Sequence, residues 1–313
     1  MQVQTVKGPI DTSQLGLTLM HEHLFVLSEG VYQAFPSVWD PETSVAETIP
    51  RLKEVAAIGV QTLVDLTVLG TGRNIHLIRR VAQQVPLNVI AATGLYTYNE
   101  LLHYFENRDA DHMASLFVHD IRDGIGDTGI KAAILKCATD EPGVTPGVEK
   151  VLRAVARAHK ETGVPIYTHT HAGMQRGLDQ QRILKEEGVD LSRAVIGHSG
   201  DSDDLDYLLK LIDAGSFIGM DRFGLDFLLP FEKRVATIAK LCEKGYIDRF
   251  ILSHDYCSYI DWFPPEAIKQ MVPNWSFTHL FKDVIPALRQ AGVTQAQIDQ
   301  MLVENPRRVF EGR

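Results

Sequence analysis

The chain has 313 residues, a hydrophobic fraction of 45% and a charged fraction of 23%, the proportions of an ordinary globular protein. One (β/α)₈ barrel commonly reaches this length, so residues 1–313 are expected to form a single domain. The formal net charge of −9, with no basic run, disfavours nucleic acid as a partner, because phosphate backbones are bound by clustered lysines and arginines.

The start of the chain and its cysteines indicate a cytoplasmic protein. No apolar segment approaches the roughly 18 residues needed to cross a bilayer, so no membrane partner is expected. The opening residues MQVQTVKGPIDTSQ lack the basic start and apolar core of a secretory signal. Cys137, Cys242 and Cys257 are odd in number and widely spaced, which disfavours a disulfide framework.

Short apolar runs alternate with amphipathic segments along the chain, the pattern of βα units in a parallel sheet. Helical patterns such as 148–163 and 203–215 end in a glycine, where a left-handed cap stops a helix. The repeats predict an α/β fold, a (β/α)₈ TIM barrel, with an open doubly wound sheet as the alternative. The expected strands are residues 17–26, 61–67, 87–94, 132–138, 165–170, 193–199, 216–223 and 249–256.

Three further segments lie outside this simple repeat. Residues 99–130 predict a longer insertion with a polar helix before the fourth strand, and 259–277 an aromatic, proline-rich loop after the eighth. Residues 294–310 predict an extra amphipathic helix that closes one end of the barrel. Loops this long in a compact domain are usually functional.

Polar side chains collect at the carboxyl ends of the predicted strands, where this fold places its functional residues. His21 and His23 lie toward the end of strand one, and His169, His198 and Asp255 end strands five, six and eight. The histidines in helical or loop patterns are interpreted as surface or packing residues: His76, His103, His112, His119, His159 and His279.

His21 and His23 are two apart on a strand, so both are expected to point toward the barrel axis. A lone His-x-His pair is as easily satisfied by backbone groups, but four strand ends with such residues favour a ligand set. Unsatisfied buried polar groups cost about 1–3 kcal/mol each, and a divalent metal removes that cost by ligation. Imidazole and carboxylate without thiolate suit Zn, Fe, Mn or Co.

Lys136 is a lysine inside the apolar strand segment ILKCAT. If it faces the same axis, burial and nearby metal charge favour its neutral amine. A neutral amine can add carbon dioxide to become a carbamate, an anionic oxygen ligand able to bridge two metal ions. Pairing of the lysine with a carboxylate such as Asp140 is an equally open alternative.

The segments HEH, ILKCAT, THTHA, IGHSGD and LSHDYC, in that order and on those strands, resemble the phosphotriesterase family of the amidohydrolase superfamily over nearly the whole chain. The resemblance implies a binuclear metal centre at the carboxyl face of the strands, with zinc expected first and cobalt, iron or manganese as alternatives. It also implies a homodimer. The implied ligands are His21, His23 and Asp255 for one metal and His169 and His198 for the other, bridged by N6-carboxylated Lys136 and a hydroxide.

Finer features are similar to the phosphotriesterase-like lactonases of that family. The segment GLYTYNE carries Tyr96, where phosphotriesterases proper tend to have tryptophan, and a short loop after strand seven carries Arg222. This resemblance implies quorum-quenching hydrolysis of N-acyl-homoserine lactones and related γ- and δ-lactones, with promiscuous phosphotriesterase (paraoxonase) activity. The alternatives are phosphotriester (aryldialkylphosphatase) or carboxylester hydrolysis as the main activity, a deacetylase or amidase of the wider superfamily, and a metal-bearing barrel without turnover.

Asp255 is expected to accept the proton of the attacking water and pass it to the leaving alkoxide. Tyr96 would orient the lactone ring, and Arg222 would position the opening or a loop. His254, next to Asp255, is expected to face away from the site, so a packing role is at least as good an interpretation. Further candidates for the substrate pocket are Tyr98, Phe223, Cys257 and Trp262.

Overall fold

The computed structural model describes residues 1–312, and within that range a short antiparallel hairpin precedes one nine-stranded parallel sheet. The sheet order is β10-β9-β8-β7-β6-β5-β4-β3-β11, and the hairpin pairs β1 with β2. The strands are β1 Gln2–Thr5, β2 Gly8–Asp11, β3 Thr18–Val26, β4 Thr62–Asp65, β5 Asn88–Gly94, β6 Ile134–Thr139, β7 Ile166–Thr170, β8 Ala194–Ile196, β9 Phe217–Met220, β10 Phe250–Leu252 and β11 Tyr256–Ile260.

Helices alternate with these strands and cover the outside of the sheet. They are α1 Val31–Ala34, α2 Pro41–Ile58, α3 Ile75–Ala82, α4 His103–Glu106, α5 Ala110–Arg122, α6 Pro146–Thr162, α7 Arg176–Glu186, α8 Leu205–Asp213, α9 Phe231–Glu243, α10 Pro265–Met271, α11 Ile285–Gln290, α12 Gln295–Asp299 and α13 Asn305–Glu311. Short 3₁₀ turns lie at Thr12–Gln14, Pro36–Val38, Ala172–Met174, Leu191–Arg193, Ser199–Asp201 and Ile247–Arg249, and π-helical turns at Leu280–Val284 and Gln300–Glu304.

The sheet closes into a barrel through a last strand that is broken in two. Its first piece, β10, pairs with β9, and its second piece, β11, pairs with β3, where Tyr256 lies opposite Glu22. Between the pieces, the Asp255 N–H donates to the His21 carbonyl at 2.9 Å. The eight barrel positions confirm the predicted (β/α)₈ barrel, and the alternative of an open doubly wound sheet is wrong.

The strands are apolar on both faces because each face is covered. Side chains pointing inward, such as Met20, Ile90 and Phe217, form a cluster that fills the barrel interior. The much larger outer cluster lies between the sheet and the helices, and it includes Cys137 and Leu63. All nine residues of β3 are buried, as expected for a parallel strand covered on both faces, although its middle carries His21, Glu22 and His23.

Helix α6 shows how local sequence places these elements. The Thr145 side chain accepts a hydrogen bond from the Val148 N–H at the amino end, and Pro146 occupies the first turn. Gly163 ends the helix in the left-handed conformation with φ 76°. The helix predicted over 148–163 is therefore confirmed, with its first turn beginning at Pro146.

The predicted strands agree with the observed ones, but several end earlier. Strand β8 ends at Ile196 because His198 has φ 59°, and β10 ends at Leu252 before Asp255 with φ 53°. Left-handed backbone of this kind stops a strand and is uncommon outside glycine. The hairpin β1–β2 was not predicted, since its two strands of four residues are half exposed.

Two predicted loops have more regular structure than expected. The polar helix expected in 99–130 is the amphipathic barrel helix α5, which buries Met113, Phe117 and Ile121 against the outer cluster, so the insertion was wrongly interpreted as polar. The loop expected over 259–277 begins as the end of β11 and contains α10.

The carboxyl-terminal segment closes the amino-terminal end of the barrel, as predicted for 294–310. Helix α13 packs Val309 and Phe310 into the inner cluster, together with Val3 of the hairpin. Of residues 1–312, none belongs to a helix long and apolar enough to traverse a bilayer.

Candidate metal centre

Six predicted ligand residues meet at the carboxyl end of the barrel, where they line one cavity. The Nε2 atoms of His21 and His23 each lie 3.2 Å from Asp255 Oδ1. His198 Nε2 lies 3.7 Å from Asp255 Oδ2, and Lys136 Nζ lies 3.0 Å from His21 Nε2. The rings of His169 and His198 pack edge to face with centroids 4.6 Å apart. The structure thus brings together residues that are separated by up to 234 positions in the chain.

A buried carboxylate that the sequence analysis missed, Asp221, orients two of these imidazoles. Asp221 Oδ2 lies 2.8 Å from His21 Nδ1, and Oδ1 lies 3.0 Å from His198 Nδ1 and accepts from the His198 N–H. The Tyr167 hydroxyl also donates to Asp221 Oδ2. Although burial opposes ionisation, the contacts with His198 and His21, including the hydrogen bonds from both rings, hold the pKa of Asp221 well below its usual range.

Two sets of side chains lie close enough to share an ion: His21 with His23 and Asp255, and His21 with His198 and Asp221. In the second set the carboxylate contacts Nδ1 atoms at hydrogen-bond distances, the usual arrangement behind metal-binding histidines. We therefore assign Asp221 to holding the rings, which leaves both Nε2 atoms free toward the cavity. Its sequence signal was the aspartate of the DR pair that follows strand β9.

His23 and His169 are held in the same way by other partners. Thr67 Oγ1 lies 2.8 Å from His23 Nδ1. Asp140 Oδ2 is bonded to His169 Nε2, so the Nδ1 atom of His169 faces the cavity. Asp140 therefore pairs with His169, and the alternative in which it neutralises Lys136 is wrong. Burial opposes ionisation of Asp140, but the hydrogen bond from His169 outweighs it and lowers the pKa of Asp140.

The donor set fits a divalent cation, as the contact between His21 and Asp255 shows. Burial, followed by the charge of Lys136, lowers the pKa of His21 to about 4, so the ring is neutral at pH 7. With its Nδ1–H donated to Asp221, its Nε2 lone pair faces Asp255 Oδ1 at 3.2 Å. Burial opposes ionisation of Asp255, yet its pKa is held well below normal, and the charged Arg222 guanidinium that donates to its Oδ2 keeps it ionised beside neutral rings. A lone pair against a carboxylate is unfavourable without a positive charge beside it, which Lys136 Nζ supplies here at 3.0 Å from the same Nε2 and a divalent cation would supply when bound.

Lys136 lies fully buried beside this group. Burial lowers the pKa of Lys136 to about 8, although Asp255 and Asp221 act in the opposite direction. An amine with this pKa is partly neutral near pH 7 to 8. The side chain also lies beside the Tyr167 ring, with Nζ 5.4 Å from the ring centroid. The environment therefore provides the reactive neutral amine that carbamate formation requires.

Arg222 and Tyr96 lie beside the ligand group. The Arg222 Nε–H donates to Asp255 Oδ2 at 2.9 Å, and its Nη1 donates to Asp201 Oδ2 at 3.0 Å. Burial would lower the pKa of Arg222, but Asp201 and Asp255 raise it, so the guanidinium stays charged. The Tyr96 hydroxyl lies 3.2 Å from His169 Nδ1 and is bonded to the Tyr98 hydroxyl. Asp201 was not predicted.

Three of the four predicted pocket residues line the cavity: Tyr98, Cys257 and Trp262. Phe223 does not, and this prediction is wrong. Its side chain is 1% exposed and packs in the outer hydrophobic cluster, because the chain turns after Arg222 into Gly224, which has φ 97°. Apolar wall residues that the sequence analysis did not single out include Val26, Leu225, Ile268 and Trp275.

The histidines predict a pH dependence for the stability of the metal-free protein. Burial is the main reason why the pKa values of His21 and His169 are lowered from 6.5 to about 4. Between these values the unfolded chain binds protons that the native protein does not, so the free energy of unfolding decreases as the pH falls from 6.5 toward 4. We expect a loss of roughly 3 kcal/mol per histidine, measurable by urea unfolding at each pH.

A His169→Asn variant is the control, and it should show a shallower decrease over the same range. Equal stability of the unaltered metal-free protein at pH 7 and pH 5 would contradict the neutral state of these buried rings.

A parallel barrel that gathers imidazoles, a lysine and an aspartate at the carboxyl ends of its strands defines a class of metal-dependent hydrolases with a binuclear centre. The chain belongs to the phosphotriesterase family, whose model matches residues 1–310. This family is a binuclear metal-dependent hydrolase family.

Two relatives and one solved structure show how close this likeness is. The chain is 57% identical over 318 residues to the phosphotriesterase homology protein of Mycobacterium tuberculosis, covering 99% of this chain and 98% of the relative. It is 46% identical to the aryldialkylphosphatase of Saccharolobus solfataricus, covering 97% and 98%. The structure of the phosphotriesterase from Mycobacterium tuberculosis superposes with a TM-score of 0.97 at 57% identity, over 99% of this chain and 98% of that one.

Proposed function

We propose that this family hydrolase is a lactonase that opens N-acyl-homoserine lactones and related γ- and δ-lactones, with weaker activity on phosphotriesters. The observation that carries the proposal is the Tyr96 hydroxyl, which stands in the cavity 3.2 Å from His169 Nδ1 and can donate to a ring oxygen. Hydrolysis of such a substrate would interfere with acyl-homoserine lactone signalling, so the activity would be of the quorum-quenching type.

We further propose that the cofactors are two divalent metal ions, with zinc first and cobalt, iron or manganese also suited to the donors. One would be held by His21, His23 and Asp255 and the other by His169 and His198, with a carbamate on Lys136 between them. When bound, such a pair acidifies a water molecule and polarises a carbonyl or phosphoryl oxygen.

The side chains of this chain would then manage the proton and the substrate. The Asp255 carboxylate accepts the proton of the attacking water and returns it to the leaving oxygen of the ring. Arg222 holds Asp255 Oδ2 in place with a charge-assisted hydrogen bond of 2.9 Å. Tyr96 donates its hydroxyl to the ring oxygen or the carbonyl and so orients the lactone.

The cavity wall supports a substrate with an apolar tail. Leu225 in the loop after β9, Cys257 and Ile260 on β11, and Trp262 just after β11 line the cavity. Such a wall favours an acyl chain by removing apolar surface from water, at about 25 cal/mol per Å². We also propose a cytoplasmic homodimer that acts on this small molecule and binds neither nucleic acid nor membrane, a proposal that the net charge of −9 supports for nucleic acid.

A hydrolysis panel with matched metal analysis tests the substrate. Protein loaded with zinc or cobalt is assayed on acyl-homoserine lactones of different chain length, simple γ- and δ-lactones, a carboxylester, an N-acyl amide and a dialkyl aryl phosphate. We expect kcat/KM to be at least about 100-fold higher for a lactone than for the phosphotriester, which corresponds to about 2.7 kcal/mol of transition-state binding.

Phosphotriester hydrolysis as the main activity is the second candidate, and the similarity to the aryldialkylphosphatase of Saccharolobus solfataricus favours it. A higher kcat/KM for the phosphotriester would establish it and refute the lactonase proposal. Two bound metals without turnover of any compound would instead indicate a barrel that binds metal but does not catalyse. A Tyr96→Phe variant refines the result. Because it removes one hydrogen bond to the lactone, it should lower kcat/KM for lactones by about tenfold and for the phosphotriester by less.

A further inference from the structure

The break between β10 and β11 leaves backbone N–H groups beside the candidate metal centre without partners in the sheet. Asp255 lies in this break with φ 53°, and the regular pairing with β9 ends at Leu252. Backbone N–H groups that are buried and leave a sheet need other partners. The Asp255 N–H donates to the His21 carbonyl. The N–H groups of the residues before and after Asp255 donate to one buried side chain of β3.

That side chain is Glu22, which is fully buried. Its Oε1 accepts from the His254 N–H at 3.0 Å, and its Oε2 accepts from the Tyr256 N–H at 2.9 Å. One carboxylate therefore holds the backbone immediately before and immediately after Asp255. Oε1 also accepts from the Ser253 hydroxyl at 2.8 Å and lies 2.7 Å from His254 Nδ1.

His254 extends this arrangement to the cavity wall. Its Nε2 accepts from the Leu280 N–H at 3.0 Å, so its Nδ1 carries the proton and donates to Glu22. The Trp275 indole N–H donates to the His254 carbonyl at 2.9 Å, and Trp275 lines the cavity. His254 thus has the packing role that the sequence left open, with all its polar groups paired.

We propose that Glu22 is a positioning residue that fixes Asp255 for metal binding by bracketing its backbone. Glu22 alternates with His21 and His23 on β3 and is absent from the cavity wall, so it acts through Asp255 and not on a substrate. The left-handed backbone at Asp255 places its carboxylate 3.2 Å from the Nε2 atoms of His21 and His23. The inference rests on the proposed role of Asp255 as a ligand, but on no particular substrate.

A Glu22→Gln variant tests this role without changing the size of the side chain. An amide offers one acceptor oxygen and one NH₂ group, so in either orientation a donor opposes the donors around Glu22. We expect the affinity of the metal-free protein for Co²⁺ at the weaker site to fall by about 10- to 100-fold. Equilibrium dialysis with elemental analysis measures it, and the visible spectrum of bound Co²⁺ should change.

Turnover gives a second signature. In metal-saturated Glu22→Gln protein, kcat should decrease while KM changes little, because the cavity wall is intact. Glu187→Gln is the matched control, since Glu187 accepts hydrogen bonds from Arg153 and Arg157 of helix α6 and does not line the cavity. Glu187→Gln should leave the Co²⁺ affinity unchanged. A Glu22→Gln protein that melts at a lower temperature but binds Co²⁺ with unchanged affinity and spectrum would overturn the proposal.

Two substitutions of His254 test the positioning role of Glu22 even if the Glu22→Gln variant folds poorly. His254→Asn places an amide near the Nδ1 position and can still donate to Glu22, whereas His254→Gln places its polar group near the Nε2 position and loses that bond. We expect the Gln variant to lose more Co²⁺ affinity than the Asn variant. The reverse order overturns the proposal, and an unaltered protein that binds no Co²⁺ refutes the ligand role of Asp255 itself.

Discussion

Replacing Lys136 by methionine should lower kcat/KM by a factor on the order of 10³ or more and leave the protein with at most one tightly bound metal ion. Methionine has nearly the length of lysine but no amine, so it cannot form a carbamate. The two groups of imidazoles would then lose the anionic oxygen that is proposed to lie between them. Elemental analysis and steady-state kinetics measure both effects.

The Lys136→Met protein should nevertheless stay folded, which separates a lost ligand from a lost structure. Lys136 is 1% exposed among buried residues, and its pKa is lowered to about 8 by burial, so an apolar side chain at this position relieves a buried charge. We expect the metal-free variant to melt no lower than the metal-free unaltered protein.

Carbon dioxide provides the complementary test of the same residue. Metal-free protein should regain activity on addition of zinc or cobalt faster with bicarbonate than without it, and mass spectrometry of native protein should detect one added CO₂. A Lys136→Met protein that keeps two metals and the full rate would show that no carbamate is needed.

Asp255→Asn should reduce kcat by about 10² to 10⁴ on every substrate that the protein hydrolyses, the range expected when a positioned acid–base group is lost. Asparagine keeps the shape and one oxygen that can still ligate, but it cannot accept the proton of the attacking water. It also leaves Arg222 without the partner of its Nε–H. The measurement is the rate in metal-saturated protein, with metal content determined on the same sample.

Asp201→Asn is the matched comparison, since Asp201 accepts from the other side of the same guanidinium at 3.0 Å and contacts Arg234. It removes a carboxylate from Arg222 while leaving the imidazoles and Asp255 untouched. Its loss in kcat should be at least about tenfold smaller. Equal losses in the two variants would assign the effect to Arg222 and its charge, and full activity of Asp255→Asn would remove the proton role.

The barrel and the meeting of the six candidate ligand residues were predictable because they depend on local patterns. Apolar runs of strand length identify the elements, and the fold places function at their carboxyl ends, which selects His21, His169 and Asp255 from the other polar residues. No comparable rule reveals Asp221, Asp140 or Glu22. Their roles depend on which side chain reaches which ring across neighbouring strands, and this register is fixed by packing in three dimensions.

The errors have the same origin. Phe223 follows Arg222 at a strand end and was expected in the pocket, yet the turn at Gly224 directs it into the outer core. Strand eight was expected to continue to residue 256, but left-handed backbone at Asp255 divides it. Sequence periodicity indicates where a strand runs, but it does not indicate which residue takes a left-handed backbone conformation.

The broken last strand affects the stability of the whole chain, because the candidate metal centre lies where the first strand of the barrel pairs with the last. Contacts between His21 or His23 and Asp255 join the first strand of the barrel to the last, and a cation there would close a loop of more than 230 residues. Closing so long a loop is entropically costly, and ligands that bind only the native state add to its stability. A chelator would therefore do more than stop catalysis, since it would also lower the free energy of unfolding of the whole barrel.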